Sequence, residues 1–147
     1  MDPLSITASV ITIAGLAVSS SKLLYETLYS IRDAPETFRN LRSEVEVLQQ
    51  TILSFQRGLE QDSENGTRSE AQELVLNELK PALQACHECC EKLNGRIVKL
   101  LSKSKDGHIS LRDKIKLQFQ DKEIEASRAL LASFKSTLTI TLNFSIR

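Results

Sequence analysis

From Pro3 to Ser21 the chain carries no charged side chain, although 26% of its 147 residues are charged. A stretch of that length and character is a secretory signal, a membrane segment or a helix buried in a core. A signal has a basic start ahead of its apolar run, and here the start is Asp2, so a signal is set aside. A spanning helix needs about 20 predominantly apolar residues. The length is nearly right, but Ser5, Thr7, Ser9, Thr12, Ser19, Ser20 and Ser21 dilute it. The stretch also places small residues four apart, Ser5 with Ser9, Ala8 with Thr12 and Gly15 with Ser19. That spacing lets helices approach closely, in a soluble bundle or in lipid. A plain core helix is the simpler reading; a segment tolerable in both solvents is also what a conformational switch requires.

The remainder reads as helix. Aromatic residues make up 5% of the chain, with five glycines, three prolines and no tryptophan, which favours a Leu/Ile/Val-rich α-helical domain. Asp2 and Pro3 suit an N-cap and a first helical position, predicting an apolar helix over about 2–32 that stops at "RDAPE". Phe38, Leu41, Val45, Leu48, Ile52, Phe55 and Leu59 recur at spacings of three and four, a seam for packing on other helices over about 36–60. "QDSENGTRSE" then reads as an exposed loop. A third segment, about 68–104, repeats the pattern through Leu76, Leu79, Leu83, Cys86, Cys90, Leu93, Ile97 and Leu100, with Pro81 marking a kink or a new start.

The last segment, about 109–143, has Leu117, Ile124, Leu131 and Leu138 at sevenfold spacing, with Phe134 between the final pair. Its end is ambiguous. Leu138, Ile140, Leu142, Phe144 and Ile146 alternate with polar residues, the strand period, and such a segment can stack into cross-β structure if exposed. Leu138 nevertheless continues the helical stripe, so helix is the expectation. The whole is expected to be a single all-α domain, an antiparallel four- or five-helix bundle with an apolar N-terminal helix.

The chemistry of the chain points away from catalysis. Net charge is zero, which argues against a nucleic-acid binder held by electrostatics. The zero conceals an asymmetry: 36–91 holds eleven acids against five bases, and 92–122 holds nine bases against three acids. The two regions could pair within one bundle, or the basic one could face anionic lipid. Cys86, Cys89 and Cys90, odd in number and clustered, suit a reducing cytosolic compartment. A structural zinc site needs four ligands, usually in two separated pairs. "CHECC" could offer Cys86, His87 and Cys90, and the only other histidine is His108; with Cys86 and Cys90 on an apolar stripe, core packing is the expected role. Phosphate-binding loops, a nucleophile elbow and H-E-x-x-H are missing. Glu70, Glu73, Glu88 and Glu91 fall where the stripes leave helix positions facing water. Asn65 and Asn143 match the glycosylation pattern without a secretory signal to give it meaning. No enzyme activity, cofactor or metal is expected.

"MDPLSITASVITIAGLA", a helix of the "FRNLRSEVEVLQQTI" kind and a late "LRDKIKLQFQDKEIEASRALLASFKSTLTITL" resemble the N-terminal domains of fungal STAND/NLR-type proteins, akin to the HeLo-like domains of fungal cell death. The resemblance spans nearly the whole chain and departs from many relatives at Leu117, where they carry tryptophan. It implies a cytosolic bundle at the head of a receptor, followed by NACHT/NB-ARC or repeat domains, that self-associates on activation. It further implies that the N-terminal helix is then released to the plasma membrane. Carried onto this chain, the inserting element is Leu4 to Val18, with Leu4, Ile6, Val10, Ile11, Ile13, Gly15 and Leu16 engaging lipid or another copy. The seams through Phe38 to Phe55 and Leu79 to Ile97 would hold the resting bundle. The rival expectation is a soluble adaptor that binds another helical domain and keeps its first helix permanently buried.

Overall fold

The computed structural model describes residues 3–31, 34, 36–65, 70–102 and 121–145. They form four helices: α1 (Pro3–Tyr29), α2 (Glu36–Asn65), α3 (Glu70–Leu101) and α4 (Asp121–Ser145). No strand occurs among the described residues. The all-α bundle with an apolar first helix is the fold that the apolar periodicity predicts.

Each helix contributes the stripe that its sequence spells. Phe38, Leu41, Val45, Leu48, Ile52, Phe55 and Leu59 are all buried on α2; Leu76, Leu79, Leu83, Cys86, Cys90, Leu93 and Ile97 are buried on α3. α4 adds Ile124, Leu131, Phe134 and Leu138, and α1 adds Ile6, Val10, Ala14, Ala17, Leu24 and Leu28. These side chains form one core. Full burial of a Leu, Ile or Phe side chain is worth about 1.5–3 kcal/mol, so this core is the main offset to chain entropy.

Packing is unequal. α1 lies against α2 and α3, and α4 closes the other side against the same two helices. Gln56 of α2 reaches Ile11 of α1, while Arg42 stacks on the Tyr29 ring at 5.4 Å, so α1 and α2 are antiparallel. Glu73 meets Thr7 and His87 meets Leu16, so α3 runs parallel to α1. Arg128 of α4 grips Glu44, with Nε donating to Oε2 at 2.9 Å and Nη2 to Oε1 at 2.5 Å. Between α1 and α2, buried Ile31 and Ala34 anchor the turn, and Arg39 Nη1 donates to Ala34 O at 3.0 Å.

Several boundaries differ from the sequence reading. α1 ends at Tyr29, and α2 continues through "QDSEN" to Asn65, so half of the expected loop is helix. α3 is one element that passes through Pro81. Pro81 is exposed, so its ring costs a hydrogen bond without disturbing the core. The alternating C-terminal segment is helical to Ser145. Burial of Leu138 on the α4 stripe overrides the β preference of its Thr and Ile residues, and leaves Ile140 70% exposed. Asp2, Arg32, Gly66 to Arg68, His108, Leu117 and Ile146 lie outside the described residues, as do the side chains of Leu4, Leu100, Leu142 and Phe144.

Candidate functional site

α1 is the one described helix long and apolar enough, by length and composition, to cross a membrane, over Ile6–Tyr29. Only 39% of its most apolar window is buried. The reason is its shape as a wheel. Ile6, Val10, Ala14, Ala17, Leu24 and Leu28 face the core; Ala8, Thr12, Leu16, Ser19, Lys22, Leu23 and Glu26 face out. Leu16 is 45% exposed and Leu23 54%. An ordinary amphipathic helix puts charge on that outer face, whereas here charge enters only at Lys22.

The residues expected to engage lipid therefore divide. Ile6 and Val10 are core, Ile11 and Ile13 are partly buried against it, Gly15 is half-buried, and Leu16 is on the outer face. Leu4 lies on α1 with its side chain outside the described residues.

Several hydroxyls of α1 are not loose polar groups. Thr12 Oγ1 donates to Ala8 O at 2.9 Å, Ser20 Oγ to Ala17 O at 3.2 Å, Ser21 Oγ to Val18 O at 3.0 Å and Thr27 Oγ1 to Leu23 O at 3.0 Å. Each of these four hydroxyls carries its acceptor within its own helix. Its desolvation cost is thus partly met in the bundle and would be equally met in hydrocarbon. This lessens the dilution that the sequence suggests.

Neighbouring helices reach α1 through polar side chains at several levels. Thr7 Oγ1 donates to the Glu73 carboxylate at 3.3 and 3.4 Å. Gln56 Nε2 donates to Ile11 O at 3.4 Å and lies across Gly15, where an added Cβ would stand 3.1 Å from it. His87 Nδ1 is 3.2 Å from Leu16 O, and its Nε2 is 2.9 Å from Glu91 Oε1. Two of these contacts address main-chain carbonyls, which hold a second lone pair beyond their helical bond. They therefore bind α1 without depending on its side chains.

Glu73 corrects the sequence reading. It does not face water; it is 8% exposed, at the first turn of α3. It stands three residues before Leu76 and so belongs to the same stripe, a position where its chemistry hid its geometry. Gln56 and His87 gave no comparable signal, since each adjoins a stripe and only the helix pairing aims it at α1. Glu70, Glu88 and Glu91 are exposed as expected.

The cysteines line a different part of α3. Cys86 and Cys90 are buried and Cys89 is half-buried, all as free thiols. Hydrogen bonding to Cys90 and then burial push the Cys86 thiol well above its ordinary range, and burial pushes Cys89 up. So raised, Cys86 and Cys89 are poor nucleophiles and poor metal ligands. Among the described residues, no group of three or more His, Cys, Asp or Glu converges on a point.

No curated protein and no solved structure matches the chain. Over residues 1–146, however, it matches the family described as pigment biosynthesis cluster protein PigL N-terminal, and a bundle headed by "MDPLSITASVITIAGLA" accordingly belongs to that family of fungal N-terminal domains.

Proposed function

We propose that this domain is a non-enzymatic signalling module at the head of a fungal NLR-like receptor of the STAND type, related to HeLo-like domains. In this reading it couples oligomerisation, driven by NACHT/NB-ARC or repeat domains elsewhere in the natural protein, to membrane-directed cell death or defence. α1 is the effector element, the resting domain is cytoplasmic, and anionic plasma-membrane lipid is the target on activation. The observation that carries the reading is the mismatch between the apolarity of α1 and its burial. A helix needed only as core would gain solubility from charge at Ala8, Thr12, Leu16 and Ser19, and carries none there. Its self-bonded hydroxyls support the same reading, since they suit both environments.

The test is dye release from anionic and neutral liposomes by the intact chain and by a version beginning at Lys22, both checked for helicity and both driven to oligomerise. Release by the intact chain alone, greater on anionic lipid, is the expected result. Absence of release from a folded, oligomerised intact chain would shift the assignment to the soluble adaptor. The contacts from Glu73, Gln56 and His87 favour that second reading to the extent that they are never broken.

A further inference from the structure

Of the polar contacts on α1, the one from His87 differs in kind. The imidazole stands between the Leu16 carbonyl, 3.2 Å from Nδ1, and the Glu91 carboxylate, 2.9 Å from Nε2. A carbonyl and an ionised carboxylate are acceptors only. A neutral imidazole has one N–H, so it donates to one of them and turns a lone pair towards the other. The imidazolium donates to both. Glu91 lies one turn further along α3 and stays beside His87 wherever α1 goes, but the Leu16 carbonyl is there only while α1 is docked.

The surroundings leave this pair of contacts in charge. Among the described residues, α1 brings no titratable group from Ile6 to Ser21, and α2 reaches this stretch of α1 through the uncharged Gln56. α2 does not pack appreciably on α3. α4 meets α3 around Cys89, Lys92 and Arg96; Cys89 is about 200° round the helix from His87. On α3 itself the nearby acids are Glu91 and Glu88, and Glu88 Oε1 accepts from Gln84 Nε2 at 3.0 Å. Glu73 also faces α1, but at Thr7, nine residues before Leu16, and it stands fourteen residues before His87.

We propose that His87 is a proton-dependent clasp on α1, which ties the helix into the bundle while the imidazole is charged and loosens it when the imidazole is neutral. This deepens the reading of α1 as a releasable element and names a control on its release. The sign follows from the donors. Below the ordinary imidazole range the imidazolium donates to both acceptors; above it the neutral ring, whose single N–H goes in preference to the charged Glu91 carboxylate, gives up the Leu16 carbonyl. Alkalinisation therefore primes α1, and acid holds it.

Hydrogen–deuterium exchange of peptides covering 7–24 in the intact chain, without lipid, tests the clasp directly. Rates are taken at about pH 5.5 and about pH 8, on either side of the imidazole range, and corrected for intrinsic exchange. In the parent, α1 should exchange about tenfold faster at the higher pH, the worth of one charge-assisted hydrogen bond. His87→Gln puts an uncharged amide there whose donors are the same at both pH values, so its corrected ratio should fall to about 1. A parent ratio near 1, or a His87→Gln ratio equal to a raised parent ratio, overturns the proposal. Should His87→Gln fail to fold, Glu91→Gln serves instead, since removing the carboxylate should shrink the ratio and an unchanged ratio overturns it. Dye release measured alongside separates the two ideas: a pH-dependent exchange ratio without release at any pH upholds the clasp and contradicts the membrane reading.

Discussion

Gln56 lies over Gly15, its Nε2 so placed that a Cβ at position 15 would stand 3.1 Å away while the same amide donates to Ile11 O at 3.4 Å. This contact joins the middle of α1 to the far half of α2. The atom in the way is the end of a flexible side chain, so Gly15→Ala forces Gln56 to move by a few tenths of an ångström. The substitution gains about 1 kcal/mol of helix propensity and loses a hydrogen bond of about the same worth. Urea unfolding should therefore find Gly15→Ala within about 1 kcal/mol of the parent, and Gly15→Leu destabilised by about 1–3 kcal/mol through overpacking.

Leu16 offers the cleaner separation of stability from membrane action. It is 45% exposed and lies outside the buried core, so Leu16→Glu should change unfolding free energy by no more than about 1 kcal/mol. Liposome binding, in contrast, should be lost, because a carboxylate costs about 2.5–3.5 kcal/mol at the centre of a spanning helix. Val10→Glu is the contrasting control. Val10 is fully buried, and an unpaired charge there should unfold the domain outright.

The Arg128–Glu44 pair makes acid sensitivity predictable. Hydrogen bonding from Arg128 holds the Glu44 carboxyl below its usual range. A carboxyl lowered in the folded state adds stability above its unfolded range, which disappears as pH falls through the folded one. The Glu44 side chain is 45% exposed, so solvent screening limits the effect to less than about 1 kcal/mol. Glu44→Gln should show a correspondingly smaller loss of stability between neutral pH and the carboxylate range, read by thermal unfolding at a series of pH values. An acid profile identical to the parent's would show that the pair contributes nothing.

Thiol chemistry should report the packing of α3. Cys86 and Cys90 are buried and Cys89 is half-buried with its thiol pushed up. A disulfide reagent at neutral pH should label Cys89 slowly and leave the other two unmodified until urea is added. Fast labelling of all three in the native protein would mean that α3 is not packed as described.

Sequence and structure agree most where a stripe is long. Phe38 to Leu59 and Leu76 to Ile97 repeat over several turns, and repeated spacing survives any single exception, so both helices and the buried faces were legible. Boundaries were less so, because "QDSEN" looks like a loop by composition while α2 extends through it. Leu138 to Phe144 satisfied two periods at once, and only packing of Leu138 against other helices decided between them. On α1 the apolar run was plain, but its division into core-facing Val10 and outward Leu16 depends on where α2 and α3 lie. Glu73, Gln56 and His87 were illegible for a related reason: their roles arise from partners 45 to 71 residues away in sequence.

A single tryptophan at Leu16 reads directly the proposed exchange of α1 from the bundle to lipid. The chain contains no tryptophan, so the emission of Leu16→Trp reports one site, and its exposure lets the larger ring fit. In buffer the probe should emit as a partly exposed indole. On anionic vesicles, with the protein driven to oligomerise, emission should shift to the blue and become quenchable by lipids labelled within the acyl region. An unshifted, unquenched signal from folded and oligomerised protein on those vesicles would contradict the account.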